Sequence, residues 1–434
     1  MKSIRELTKK TNRISLLNYQ LLHQISWYSI QYDEEGDKQN EPIGTAGIPG
    51  TIFNLANTVI GSGTLAIPLA FQYSGYIGGI TLLVLAWILS AFAMYLLTYV
   101  SIKTKLWTYK DISLKVGGKI ISYIVQISIF CYTTGTCIAY PIFLGGFMPH
   151  VFSTFAGNTV LVDRHFDIMI VCFCIIIPIS LFKNLSALKY VSLLSLACII
   201  YTTLTSCIEF FTTYSDNIDT HPPQVFNLSV EFLRGFPYMT CAFTAHYNVL
   251  RFYSELKNRS MTKMNIIVVS STLCSFAVYL LIGLFGYFSL TPNITGNILV
   301  DYPTSDIPMF IACCSFCIVM STSFPLVHHA QRDLFDKLVF SGWQESNTRR
   351  ITLSLVLISL CMFLATGIEQ ISTVLAYNGS IFGALVVYVF PAFFAFRVAT
   401  GLLKWVSLGI MIIGFILGGI GLTITILTQF GVFD

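Results

Sequence analysis

The chain has 434 residues, 55% hydrophobic and only 11% charged, with 25 basic against 21 acidic side chains and a formal charge of +4. Mean hydropathy is +0.72, whereas soluble domains carry about 25% charged residues. These values exclude a cytosolic enzyme, a disordered chain and a nucleic-acid binder, which needs concentrated basic charge. The apolar runs are too long and too free of charge for the short alternating strands of an outer-membrane barrel.

Residues 1–47 are polar and charged. The stretch 14–30 has apolar content, but Asn18, Gln20, His23 and Gln24 interrupt it, unlike the unbroken core of a secretory signal. This segment reads as a flexible cytoplasmic tail and as the place where a cytosolic partner would bind. Eleven apolar runs follow, at 48–72, 76–100, 120–147, 166–182, 190–211, 230–250, 264–290, 307–330, 351–368, 371–396 and 404–429. Most approach the roughly 20 residues that a bilayer crossing takes. The expectation is an all-α polytopic membrane protein with eleven transmembrane helices, spanning 48–434.

Charge fixes the expected orientation. With the N-terminus in the cytoplasm, every Lys and Arg except Arg164 and Arg234 falls on the cytoplasmic side. The outer loops carry acids instead: Asp163, Asp167, Asp216, Asp219, Asp301 and Asp306. That split follows the positive-inside rule. The sequons at Asn227 and Asn293 then fall in outer loops and read as glycosylation acceptors. All twelve cysteines lie inside apolar runs, where a small soft side chain packs well. Cys313, Cys314 and Cys317 lack a second ligand pair, so they do not read as a metal site. His328 and His329, beside Arg332 and Asp333, read as a solvated helix end.

No Lys, Arg, Asp or Glu sits near the middle of any run. A fixed midplane charge costs about 2.5–3.5 kcal/mol on insertion scales, and this chain does not carry it. A substrate of strong net charge is therefore disfavoured. Two runs read as interrupted helices instead. In span one, Gly61, Ser62 and Gly63 follow Asn57 and Thr58 and precede Thr64. In span six, Pro237 is followed by Thr240, Phe243, Thr244, His246 and Asn248. Backbone released from a helix within lipid must find other partners. Half-helix N-termini suit a carboxylate, and freed carbonyls suit an ammonium group or Na⁺. A zwitterion offers both charges. Breaks at corresponding positions point to an inverted repeat, with repeat one at about 48–212, repeat two at about 229–397 and an eleventh helix at about 404–429. In span eight, Ser321, Thr322 and Ser323 precede Pro325 and offer oxygens to a hard cation. His246 is the mid-span group whose ordinary pKa suits a proton-linked step.

These segments resemble a known family. IFNLANTVIGSGTLAIPLAF (52–71), FPYMTCAFTAHYNVLRFYSELKNRS (236–260) and SFPLVHHAQRDL (323–334) are similar to the first-, sixth- and eighth-span motifs of the amino acid/auxin permeases. The resemblance runs from residue 48 onward and is strongest to sodium-coupled neutral amino acid transporters and vacuolar amino acid transporters. It implies a LeuT-like 5+5 fold of eleven helices, and secondary active transport of a small neutral amino acid by alternating access. By this resemblance, Gly61, Ser62, Gly63, Phe243, Thr244 and His246 bind substrate, and Thr58 and Thr64, which flank the span-one break, are read as part of the same site. Asn57, Ser321 and Thr322 would hold Na⁺. No organic cofactor is implied, only Na⁺ or H⁺ as coupling ion. The sodium-coupled branch carries an extracellular disulfide, for which this chain has no loop cysteine. Both a plasma membrane and a vacuolar or lysosomal membrane therefore stay open. The alternative function is an amino-acid sensor signalling through the tail.

Overall fold

The computed structural model describes residues 44–156, 163–181, 188–303, 305–340, 343–344 and 346–432. The expected tail, up to residue 43, lies outside them. Eight described helices are long and apolar enough to cross a membrane: Tyr76–Thr104, Tyr109–Pro149, Leu194–Tyr214, Met261–Leu290, Ile307–Val339, Asn347–Thr366, Ile371–Val398 and Leu402–Gln429. They coincide with spans two, three, five and seven to eleven. A ninth crossing is the pair Ile48–Val59 and Ser62–Ser74, bent by 48°. Spans four and six are shorter. Span four joins Arg164–Val171 to Ile177–Ser180 through a π-turn at Cys172–Ile176. Span six joins Gly235–Ala242 to His246–Glu255 across a break. Among the described residues, nine of the eleven expected crossings are thus met by helix length; the described part of span four is a shorter helix carrying a π-turn, and span six is broken.

Several boundaries move. Span three begins at Tyr109, so Lys110, Lys115 and Lys119 stand on a helix rather than a loop, and the chain bends at Gly118, whose φ is 79°. Span eight continues to Val339. Large apolar side chains face outward on the long helices, among them Ile88, Leu204, Phe363 and Phe415. A soluble monomer rarely exposes apolar surface on that scale, and a lipid environment matches it.

Several of the expected counterpart spans pack together. Span two lies on span seven, span three on span eight, and the two broken spans meet each other. Side-by-side pairing of this kind is what an inverted repeat of two five-helix units would produce. The chain entering span one is also tied to the end of span six by backbone hydrogen bonds. Ala46 N–H donates to the Glu255 carbonyl, and Lys257 N–H donates to the Ala46 carbonyl, each at 2.9 Å. All twelve cysteines are free thiols.

Two sequence readings change here. Asn227 is buried, with its amide donating to the Tyr73 carbonyl at 2.9 Å, so it is not available to a glycan; Asn293 is exposed. The pair at His328 and His329 is not a solvated helix end. His328 is fully buried and its Nδ1 meets Gln331 Oε1 at 3.0 Å, while Gln331 reaches Thr134 of span three at 2.9 Å. The helix runs on past the expected end of the span, so this turn stays packed between spans three and nine.

Candidate substrate site

Span one loses its helix at Ile60 and Gly61. Gly61 takes φ −132°, ψ −149°, and residues Ser62–Ala66 resume as a 3-10 turn whose Thr64 N–H returns to the Gly61 carbonyl at 3.1 Å. The N–H groups of Ser62 and Gly63 precede that first turn and have no intrahelical acceptor. Span six breaks at Phe243, Thr244 and Ala245. Both interruptions expected from the sequence are present, and they touch. A Cβ built on Gly63 would lie 2.6 Å from the Ala242 Cα. Only a residue without a side chain fits there.

Several carbonyls around the span-six break accept from side-chain hydroxyls. Tyr132 donates to the Cys241 carbonyl at 3.2 Å. The Tyr279 hydroxyl lies 2.9 Å from the Ala242 carbonyl and 2.7 Å from the Val59 carbonyl, across both breaks. Ser90 donates to the Phe243 carbonyl at 3.1 Å, and Thr244 donates back to the Thr240 carbonyl at 2.6 Å. These are carbonyls that the sequence reading assigns to an ammonium group or Na⁺, and each already accepts from one hydroxyl. Hydroxyls from spans two, three and seven fill that role, because main-chain oxygens within lipid need donors.

His246 opens the second half of span six. It is fully buried, and its Nε2 lies 3.1 Å from the Ser90 carbonyl, which accepts from a ring N–H. Ser90 therefore clips span two to the break from both its hydroxyl and its carbonyl. The opposite ring atom, His246 Nδ1, has no partner. Among the described residues, Asn57 Oδ1 and Thr64 Oγ1 are likewise buried without partners. Phe243 is fully buried edge-on to Tyr279, with ring centroids 5.1 Å apart. Thr58 does not point to the break, since its hydroxyl returns to the Asn54 carbonyl at 2.7 Å.

Span eight is placed differently from the expectation. Ser321 is buried, but Thr322 turns to span five, where its hydroxyl meets that of Ser195 at 2.9 Å and donates to its own helix. Ser323, one residue on, holds a buried hydroxyl without a partner. Among the described residues no hydrogen bond joins Asn57 to Ser321 or Thr322. The break of span one instead has span three beside it, with the Tyr140 hydroxyl 3.5 Å from the Cβ position of Gly61. Sequence reading missed Ser90, Tyr132, Tyr140 and Tyr279. A tyrosine in an apolar run carries no spacing signal; their common feature is a polar tip that must find a partner once buried.

Two cavities lie toward opposite ends of the bundle. One of about 430 Å³ is lined by Tyr73, Arg234, Tyr238, Gln370 and Ser372, among others. Arg234 lies 4.0 Å from the Tyr73 ring centre and donates to its hydroxyl at 3.2 Å, joining the end of span one to the start of span six. The other, of about 390 Å³, is lined by Lys110, Tyr247, Asn248, Arg251 and Lys337, among others.

Paired broken helices between two five-helix units define a LeuT-like transporter fold. The chain resembles a solved Na⁺-coupled sialic acid symporter in its substrate-bound outward-open state, with TM-score 0.55, 14% identity, and 88% of this chain and 89% of that one covered. It also resembles a manganese transporter from Eremococcus coleocola, with TM-score 0.61, 11% identity and 92% of each chain covered. At those identities the likeness concerns the fold. Residues 44–427 match the family model described as transmembrane amino acid transporter protein, and the chain belongs to that family. Its curated relatives include sodium-coupled neutral amino acid transporter 7 from Bos taurus, 26% identical over 80% of this chain and 78% of the relative. The Danio rerio counterpart is 26% identical over 86% and 82%. Amino acid transporter AVT6E from Arabidopsis thaliana is 26% identical over 81% and 76%. The protein is a multi-pass membrane amino acid transporter, not an enzyme.

Proposed function

We propose that the protein is a secondary active transporter of small neutral amino acids, working by alternating access and coupled to Na⁺ or H⁺. The observation that carries this reading is the contact of two broken helices at Gly63 and Ala242. The N–H groups of residues 61–63 take the substrate carboxylate, as helix starts do. Phe243 and Thr244 shape the side-chain pocket. The buried oxygens of Asn57 and Thr64 receive the substrate ammonium or the driving cation, with the buried Ser321 as the span-eight contribution if Na⁺ is used. The relatives named sodium-coupled favour Na⁺.

Uptake of a labelled amino acid panel into proteoliposomes, under separately imposed Na⁺ and H⁺ gradients, tests substrate and coupling together. Accumulation of neutral amino acids under one gradient is expected. If Na⁺ drives it, Asn57→Ala removes the response to that gradient. Accumulation of no amino acid under either gradient rejects the reading.

A further inference from the structure

A separate cavity of about 410 Å³ lies between spans eight and nine, at the end of the bundle where the chain's basic residues gather. Its walls carry Arg332, Lys337, Arg349 and Arg350 against Asp333 and Asp336. Each acid is already paired, Asp333 with Arg332 at 2.8 Å and Asp336 with Arg349 at 2.7 Å. Among the described lining residues, two positive charges remain in excess. Arg332 is only 7% exposed, yet among the described residues its Nη1 has no partner. Arg350 spends Nη1 on the Leu181 carbonyl at 3.1 Å, and its buried Nε has no partner among the described residues. A buried guanidinium N–H without an acceptor is costly.

The start of span nine forms another wall. The 20-residue helix Asn347–Thr366 begins after Ser346, whose side chain caps nothing, and both Ser346 and Asn347 line the cavity. A helix start presents unpaired N–H groups and partial positive charge. Guanidinium forks beside an uncapped helix start are the chemistry that holds phosphate. A phosphate also brings the two charges and three acceptor oxygens that match the excess. We propose that this cavity binds a phosphate-bearing anion, from a phosphorylated lipid headgroup or from solution, which bridges Arg332 of span eight to the first turn of span nine. A basic pocket between helices near the membrane surface is suited to such headgroups.

The test uses the full chain in phosphatidylcholine nanodiscs, with and without phosphatidylinositol phosphate, and with inorganic phosphate added to the lipid-only discs. Native mass spectrometry reads lipid retention and thermal melting reads ligand stabilisation. The expected result is a saturable upward shift that weakens about tenfold in Arg350→Gln and in the exposed Lys337→Gln, each of which loses a cationic donor. A shift with inorganic phosphate identifies a soluble anion as sufficient; a shift with the phosphorylated lipid alone identifies the headgroup. No shift with either probe overturns the proposal. Unchanged affinity in Lys337→Gln and Arg350→Gln, both still folded, overturns it as well. Neither readout depends on transport, so failure here leaves the transport reading untouched.

Discussion

The Tyr279 hydroxyl holds carbonyls from both broken helices at once, Val59 at 2.7 Å and Ala242 at 2.9 Å. It has one hydrogen to share, so Tyr279→Phe strips the donor from two buried oxygens while leaving the ring against Phe243. The expected loss is about 1–3 kcal/mol of stability, by the cost of unsatisfied buried acceptors. Thermal melting reads that loss, and uptake should fall further than stability alone explains. Full uptake in a stable Tyr279→Phe protein contradicts the role given to the hydroxyl. His246 belongs to the same scale. Its ring donates to the Ser90 carbonyl, a structural task that a glutamine amide can also perform. His246→Gln is therefore expected to keep uptake and its pH profile, whereas a flattened profile would make His246 the proton carrier. The sequence singled out His246 because a titratable ring stands out in an apolar run. It gave no hint of Ser90, because a serine in a span is ordinary until its partner is known.

Among the elements, the two breaks act as one unit because no side chain separates them. Gly63→Ala places a methyl 2.6 Å from the Ala242 Cα, a backbone contact that rotamer adjustment cannot relieve. The breaks must move apart, and uptake should drop at least tenfold in a protein that still inserts, by the strictness of reacting or binding geometry held on rigid elements (about 1.4 kcal/mol per decade). Near-normal uptake by Gly63→Ala would separate function from this contact. Both interruptions were legible from glycine, proline and polar residues within apolar runs. The fate of their carbonyls was not, because the donors come from Ser90, Tyr132 and Tyr279, which are distant in sequence. Span eight shows the same limit. Ser321 and Thr322 were visible as hydroxyls before a proline, but the rotation of the helix turned Thr322 toward Ser195.

Across the whole molecule, the cavities bordered by Ser372 and by Asn248 sit at opposite ends of the bundle. Alternating access requires them to open in turn, since a ligand shifts an equilibrium only by preferring one state. A cysteine placed at Ser372 or at Asn248 reports this through its labelling rate above the wild-type background. Substrate and driving ion together should raise the rate at one position and lower it at the other. Parallel changes at both positions would refute rocking between the two cavities.

Membrane residence, the order of spans and the sites of interruption were determined by the sequence alone. Hydropathy, charge bias and helix-breaking residues are local properties, and lipid punishes any departure from them. Partner choice was decided only by the tertiary structure: which hydroxyl caps which carbonyl, which histidine is buried, and which arginine is left with an idle donor. Those outcomes depend on helix rotation and on contacts between residues far apart in the chain. Arg332 illustrates the division. Its charge marked a helix end in the sequence, whereas its 7% exposure and unpaired Nη1 emerged only once spans three, eight and nine had packed.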